Sequence, residues 1–168
     1  VDPYYVRNHP MAPSTQDLLV RWYNFLVEHD ELLMDPAVTD VTSSYAGDYN
    51  DECDVTFPTT ARSNSAAAGS VWRRVLEIDG RLVVHLINLS NQHDTLWDAP
   101  REPVTPLTGG VLRFRRTGPA PRVRVADPDG AGHLVDVPFR EDGEHAEAEL
   151  PPLGVWQLVV IDLSGGSE

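Results

Sequence analysis

Trp97 has the sequence surroundings that most readily support ligand binding. It lies in the segment Asp94–Pro100, after an apolar run, with Asp94 and Asp98 close by. An aromatic ring flanked by carboxylates can stack on a sugar ring while the carboxylates accept hydrogen bonds from its hydroxyls. The same ring can instead anchor its own loop against the core. The sequence leaves both roles open, and Trp97 is therefore a candidate substrate-binding residue.

A second candidate site is the acidic segment Asp48–Asp54, which places four carboxylates and one amide within seven residues. Oxygen-rich loops of this kind can bind calcium, although this one lacks the central glycine and the ligand spacing of an EF-hand. A solvated acidic loop is the alternative. The six histidines do not show the spacing of metal ligands. Apart from this calcium candidate, the sequence predicts neither a metal site nor a cofactor.

Several functional classes are not supported by any motif. The sequence has no glycine-rich nucleotide-binding motif, no H-E-x-x-H and no G-x-S-x-G. Its single cysteine, Cys53, cannot form an intrachain disulfide, and no predicted helix terminus or basic neighbour activates the thiol. A net charge of −13 opposes binding to nucleic acid or anionic membranes. No apolar run approaches the roughly 20 residues that a membrane helix needs.

The elements that must position these residues begin with one amphipathic helix, predicted from Ser14 to Met34. Ser14 is a suitable N-cap, and Asp35-Pro36 supplies the stop. His29 falls on the apolar side, where a core or interface histidine is expected rather than a metal ligand. The predicted apolar face consists of Leu18, Leu19, Trp22, Phe25, Leu26 and Leu33.

The rest of the chain is typical of an antiparallel β structure. Residues 40–70 are rich in small and polar residues, which predicts a long loop with one short strand around Cys53–Phe57. Asp79-Gly80 between two apolar runs predicts a hairpin. Because no crossover helices separate the later runs, we predict a mainly β fold, an antiparallel Greek-key β-sandwich preceded by one helix. The predicted strands are 71–78, 81–89, 111–116, 122–126, 133–139, 144–150 and 155–163.

A family resemblance is carried by short blocks that occur in order along nearly the whole chain. These blocks are Tyr4-Tyr5 with Asn8-His9, Arg21–Leu26, Glu31–Leu33, Val71-Trp72, His85–Leu89, Leu96–Asp98, Asp127–Asp129, and Leu150–Leu153 with Trp156. Together they resemble the C-terminal third of glycoside hydrolase family 66, which comprises dextranases and cycloisomaltooligosaccharide glucanotransferases. The acidic segment Asp48–Asp54 has no counterpart among these blocks.

The resemblance implies a domain arrangement and a set of sugar contacts. Members of the family have a (β/α)₈ barrel followed by an antiparallel β domain, and they act on α-1,6-glucan by a retaining mechanism. Residues 1–36 would then be the last loop and helix of the barrel, 37–70 a long connection, and 71–168 the β-sandwich. Tyr4, Tyr5, Asn8 and His9 would lie on the catalytic face as candidate substrate-binding residues, with loop packing as the alternative.

The resemblance also implies that the catalytic carboxylates precede Val1, so no residue of this chain is predicted to be catalytic and the chain alone is expected to be inactive. The expected partners are an α-glucan or isomaltooligosaccharide and the upstream barrel of the same protein. The family suggests a secreted, extracellular protein, although the N-terminus, Val1–Tyr5, shows no targeting signal and its start resembles a cut inside a longer chain. Two other functions stay open, a non-catalytic carbohydrate-binding module and a purely structural β-sandwich.

Overall fold

The protein, seen here in a computed structural model, is a β-sandwich with a helix packed on one of its outer faces. The structure describes residues 11–45, 52–96, 101–117 and 120–163. The helical elements are α1 (Pro13–Glu28), α2 (Asp30–Leu33) and a 3₁₀ turn (Thr42–Tyr45). The strands are β1 (Thr39–Asp40), β2 (Cys53–Thr56), β3 (Arg62–Ser63), β4 (Val71–Ile78), β5 (Arg81–Asn88), β6 (Val111–Arg115), β7 (Arg122–Ala126), β8 (Val135–Asp136), β9 (Phe139–Asp142), β10 (His145–Glu149) and β11 (Trp156–Asp162). None of the helices in these ranges has the length and apolar composition to span a bilayer.

The strands form two sheets. The large sheet has the order β1-β4-β5-β11-β7-β8, with β3 beside β4, and the small sheet has the order β2-β6-β10-β9. Among the described pairs β3 runs parallel to β4, whereas the others are antiparallel. The non-sequential neighbours β5, β11 and β7 give the Greek-key character. The predicted fold class, an antiparallel β-sandwich preceded by an amphipathic helix, is confirmed.

The large sheet has an apolar surface on both faces. Its inner face meets the small sheet in a core that includes Leu86, Leu112 and Val159, all fully buried. Its outer face carries a second buried cluster that includes Val83 and Leu158. Strands β5 and β11 are central and covered on both sides, which is why their sequences are nearly continuous apolar runs.

The predicted β4–β5 hairpin and the predicted half-exposed strand β6 are also confirmed. The β4–β5 hairpin turns at Asp79 and Gly80, both of which have positive φ, 49° and 71°. Positive φ at both central positions is the geometry that favours Asp-Gly in two-residue hairpins. Strand β6 alternates between half-exposed and buried residues, as predicted for a strand with one face in the core.

The predicted helix needs two corrections. It begins at Pro13 with Ala12 as N-cap, not at Ser14, because proline lacks the N–H that a first-turn residue leaves unpaired. It also ends at Glu28, since His29 has non-helical angles (φ −112°, ψ 19°) before the short helix α2. The apolar pattern continues through this break, so periodicity could not reveal it.

Two predictions about the β region also change. Residues 37–70 were expected to be a long loop with one short strand around Cys53–Phe57; that strand is present as β2, and the segment also contributes β1 and β3 to the large sheet. Strands of two residues are too short to produce a periodic pattern. The single strand predicted at 133–139 is divided between the sheets: β8 pairs with β7, β9 pairs with β10, and Val137-Pro138 lies between them. A proline has no N–H for a ladder, so it suits the crossing point.

Candidate functional site: the two faces of the first helix

The residues predicted to bind substrate lie outside the described ranges. This applies to Tyr4, Tyr5, Asn8 and His9 in the N-terminal segment and to Trp97 after β5. Their roles as sugar contacts therefore stay predictions. Among the described residues, helix α1 offers a candidate functional surface. The resemblance predicts that this helix is the last helix of the barrel.

One face of α1 packs on the outer face of the large sheet. Phe25 is only 2% exposed and meets Trp156 edge-on, with ring centroids 5.0 Å apart. Trp22 contacts the same indole at 5.9 Å. His29, 4% exposed, lies 4.6 Å from the Phe25 ring, and its Nε2 is 2.8 Å from the Gly132 carbonyl oxygen. The prediction of an interface histidine at position 29 is confirmed.

A polar contact fixes the same face of the helix to the β7–β8 loop. Asp129 Oδ1 accepts hydrogen bonds from Trp22 Nε1 at 3.1 Å and from Arg21 Nη2 at 3.0 Å. The loop itself is the turn that the sequence predicted, since Asp127 Oδ1 accepts from the Asp129 N–H at 2.7 Å and its carbonyl accepts from Gly130 at 3.0 Å. The carboxylate is therefore presented to the helix by a structured turn.

The sheet side of this contact contains a second histidine. His85 on β5 stacks on Trp156 with ring centroids 5.7 Å apart and an interplanar angle of 12°. Burial, reinforced by the positive charge of Arg74, lowers the pKa of His85 to about 4. The ring is therefore neutral near pH 7 and contributes to the aromatic contact as an uncharged group.

The other face of α1 is apolar and exposed. Leu19, Val20, Tyr23 and Val27 are 39%, 59%, 65% and 73% exposed. At 100° per residue they form one stripe about 100° wide, on the side of the helix opposite Phe25. Isolated exposed apolar residues are ordinary, but four on one helical stripe are typical of a surface that another element covers.

This distribution corrects the predicted apolar face. Leu18, 42% exposed, and Leu19 were expected on the buried side, and the whole face was expected to be stranded on a free module. The structure instead buries Phe25 and half-buries Trp22 against the sheet. The sequence did carry a signal for the second stripe, because Val20, Tyr23 and Val27 follow the i, i+3, i+7 spacing of one helical face.

A buried arginine attaches the segment before β4 to the sandwich. Arg73 is fully buried, and its Nη1 donates to Asp54 Oδ1 and to the Cys53 carbonyl at 3.1 Å. It also donates to Asn64 Oδ1 at 2.9 and 3.0 Å and to the Tyr45 carbonyl. Sequence reasoning missed this arginine because its position in β4 has no distinctive motif.

The described residues provide no metal site. No group of three or more His, Cys, Asp or Glu in these ranges is placed to hold an ion. Asp48, Asn50 and Asp51 of the calcium candidate lie outside the described residues, and Asp54 pairs with Arg62 and Arg73. Cys53 is fully buried, and burial raises the pKa of its thiol to about 12, so it is unreactive in the folded protein.

A comparison with protein-family models identifies the family that contains this helix and sandwich. The family model of glycosyl hydrolase family 66 matches residues 2–160. The chain belongs to glycosyl hydrolase family 66. The match covers both the helix and the sandwich, so the two elements form a region that the family shares.

A solved structure agrees with this assignment to family 66. The chain is similar to a cycloisomaltooligosaccharide glucanotransferase from Paenibacillus sp., crystallised in complex with cycloisomaltoheptaose, with 25% identity and a TM-score of 0.73. The alignment covers 89% of this chain and 21% of the glucanotransferase, so the chain spans about a fifth of that protein's length.

Two other solved glycosidases are less similar. An α-L-fucosidase from Paenibacillus thiaminolyticus shares 16% identity over 67% of this chain and 15% of its own, with a TM-score of 0.44. A rhamnosidase from Novosphingobium sp. PP1Y shares 14% identity over 92% of this chain and 13% of its own, with a TM-score of 0.37. Among curated proteins, none matches the chain significantly.

Proposed function

We propose that this chain is the C-terminal portion of a dextranase-like enzyme that acts on α-1,6-glucan with retention of configuration. In this proposal residues 1–36 are the last loop and helix of a (β/α)₈ barrel, 37–70 connect it to the β domain, and 71–168 are the sandwich that supports it. Family membership and the similarity to a glucanotransferase support the assignment. Such an enzyme would work on extracellular polysaccharide and would be secreted.

The exposed stripe of α1 is the observation that carries the proposal. The helix buries Phe25 against the outer face of the sandwich and leaves Tyr23 and Val27 in solvent, so it is suited to lie between the sandwich and a second domain. The second domain would be the rest of the barrel, since the last helix of such a barrel packs on its neighbours in the outer ring of helices. The sandwich would stabilise the barrel by holding this helix in place.

The proposed chemistry requires residues that this chain does not supply. A retaining glycosidase uses a nucleophilic carboxylate and an acid/base carboxylate about 5 Å apart, usually on different barrel strands. We assign both to the part of the protein before Val1. The N-terminal segment would contribute binding contacts through Tyr4, Tyr5, Asn8 and His9, because strand-to-helix loops line the catalytic face of barrels.

The test compares the isolated chain with the intact protein encoded by the full reading frame. Reducing-sugar release from dextran is expected from the intact protein and not from the isolated chain. Turnover by the chain alone, or an upstream region without a barrel, would contradict the proposal.

A charged substitution tests the role of the helix. Val27→Asp should lower the melting temperature of the intact protein but leave that of the isolated chain nearly unchanged, because the side chain is already in solvent there. Glu28→Gln, at the neighbouring exposed position, is the matched control. Equal melting temperatures of wild type and Val27→Asp in the intact protein would show that this stripe is not covered.

A further inference from the structure

The β7–β8 loop contacts helix α1 at two points that are two helical turns apart. Asp129 Oδ1 accepts hydrogen bonds from Trp22 Nε1 at 3.1 Å and from Arg21 Nη2 at 3.0 Å. At the other end of the loop, His29 Nε2 donates to the Gly132 carbonyl oxygen at 2.8 Å. Because a helix rises about 1.5 Å per residue, the two contacts lie about 11 Å apart along α1.

The loop that makes both contacts is fixed by its own hydrogen bonds. Asp127 Oδ1 accepts from the Asp129 N–H at 2.7 Å, and the Asp127 carbonyl oxygen accepts from the Gly130 and Gly132 N–H groups, each at 3.0 Å. Gly132 has a φ of 76°, a conformation that favours glycine. Residues 127–132 therefore present two acceptors to the helix at a fixed spacing, and we call this segment the loop clamp.

The loop clamp adds direction to an otherwise apolar contact. Phe25 lies between the two contact points and packs edge-on against Trp156, with ring centroids 5.0 Å apart. Apolar burial is not directional, whereas hydrogen bonds require a short distance and good alignment. A shift of α1 by one residue would turn it by about 100° and move it about 1.5 Å, which would break the contacts at both ends. The clamp thus sets the rotation and the axial position of α1 on the sheet.

The loop clamp contributes more to position than to stability. The side chains of Arg21 and Asp129 are 50% and 30% exposed, and ion pairs this exposed add little to the free energy of unfolding. The hydrogen bond from Trp22 adds the modest net contribution of a single hydrogen bond. Most of the stability of the contact comes instead from Phe25, the buried residue of α1. A carboxylate that makes two directed contacts and adds little stability is suited to positioning the helix.

We propose that Asp129 is a positioning residue for the glucan reaction of the intact protein. This inference rests on the proposed function, in which α1 is the last helix of the barrel and the loop before it lies on the catalytic face. By holding Trp22, Asp129 would set the position of the helix start at Pro13, nine residues or about 14 Å away, and so that of the loop before it. A misplacement of about 1 Å at a reacting centre can lower a rate by up to about 100-fold.

The test is the kinetics of dextran hydrolysis by variants of the intact protein. Asp129→Ala removes the acceptor for Trp22 and Arg21, and it should raise the KM for dextran about three- to tenfold, the equilibrium effect of one hydrogen bond. The kcat should change less, because the catalytic carboxylates are assigned to other barrel strands. Asp129→Asn retains an oxygen that accepts from Trp22, so it should restore most of the affinity. Asp136→Ala, which removes another exposed carboxylate paired with Arg122, should leave KM unchanged.

A purely structural role of Asp129 predicts a different result. Loss of stability alone lowers the amount of active enzyme and hence the apparent kcat, without changing KM. A KM for Asp129→Ala equal to that of wild type, or an equal rise in Asp136→Ala, would overturn the inference, while dextran hydrolysis by the wild-type intact protein would still support the proposed function. If Asp129→Ala does not fold, Trp22→Phe removes the donor and keeps a ring against Trp156. An unchanged KM in that variant would overturn the inference equally.

Discussion

Truncation of Phe25 tests whether α1 is an integral part of the sandwich in this chain. The ring is 2% exposed and contacts the rings of Trp156 and His29 at 5.0 and 4.6 Å. Replacing a buried phenylalanine by alanine costs about 3–5 kcal/mol, and each aromatic pair contributes about 0.5–1.5 kcal/mol beyond its buried area. We therefore expect Phe25→Ala to lower the free energy of unfolding by about 3–5 kcal/mol, out of the roughly 5–15 kcal/mol typical of a domain.

The assay is urea denaturation followed by far-ultraviolet circular dichroism and by the fluorescence of the four tryptophans, two of which, Trp22 and Trp156, lie at the contact. Val27→Ala is the matched control on the same helix, and because Val27 is 73% exposed it should change stability by less than about 0.5 kcal/mol. Phe25→Leu, expected to cost about 1.5 kcal/mol or less, provides a milder variant should the alanine variant not fold. A Phe25→Ala change below about 1 kcal/mol, or an equal change in Val27→Ala, would refute the packing described here.

Two further predictions concern buried charged and titratable groups. Arg73→Met should destabilise the chain by about 3–5 kcal/mol in urea denaturation, because it removes the buried hydrogen bonds that Arg73 donates to Asp54, Asn64 and two backbone carbonyls. Arg73→Lys should not restore the wild-type value. The pKa of His85 is about 4 in the folded protein, below its ordinary value of about 6.5, so the unfolded chain binds the proton more tightly. Its contribution is complete above about pH 6.5 and is lost as the pH falls towards 4, by at most about 3 kcal/mol, and unfolding curves of wild type and His85→Phe should diverge across that window. Parallel curves for the two proteins would show that His85 does not titrate in this way, and an Arg73→Lys variant as stable as wild type would contradict the described arginine contacts.

The β-sandwich could be predicted because its signals are local. Asp79-Gly80 specifies a two-residue hairpin through positive φ, and the apolar runs around β5 and β11 indicate strands covered on both faces. The family blocks identified glycosyl hydrolase family 66, which the family match confirmed. The edge strands β1 and β3 escaped prediction because two residues carry no period.

The candidate sites could not be predicted from local sequence patterns in the same way. The sequence selected Trp97 and the N-terminal aromatic residues, which lie outside the described ranges, and did not select Gln157 or Arg73. Neither of the latter belongs to a motif. Their importance comes from burial, since an amide oxygen with no donor among the described residues and a guanidinium within the core are recognised only when the surrounding atoms are placed.

The amino-acid sequence by itself determined the class of fold, the Asp79-Gly80 hairpin and the presence of the amphipathic helix, because periodicity and turn chemistry depend on residues close together in the chain. The family followed from its resemblance to short sequence blocks. Only the tertiary structure decided which face of α1 is buried, that Asp129 holds Trp22, and that Asp127 and Gln157 share the end of one cleft. These contacts join residues far apart in sequence. Their positions depend on how the sheets and helix pack, and an apolar or polar pattern along the chain does not specify that packing.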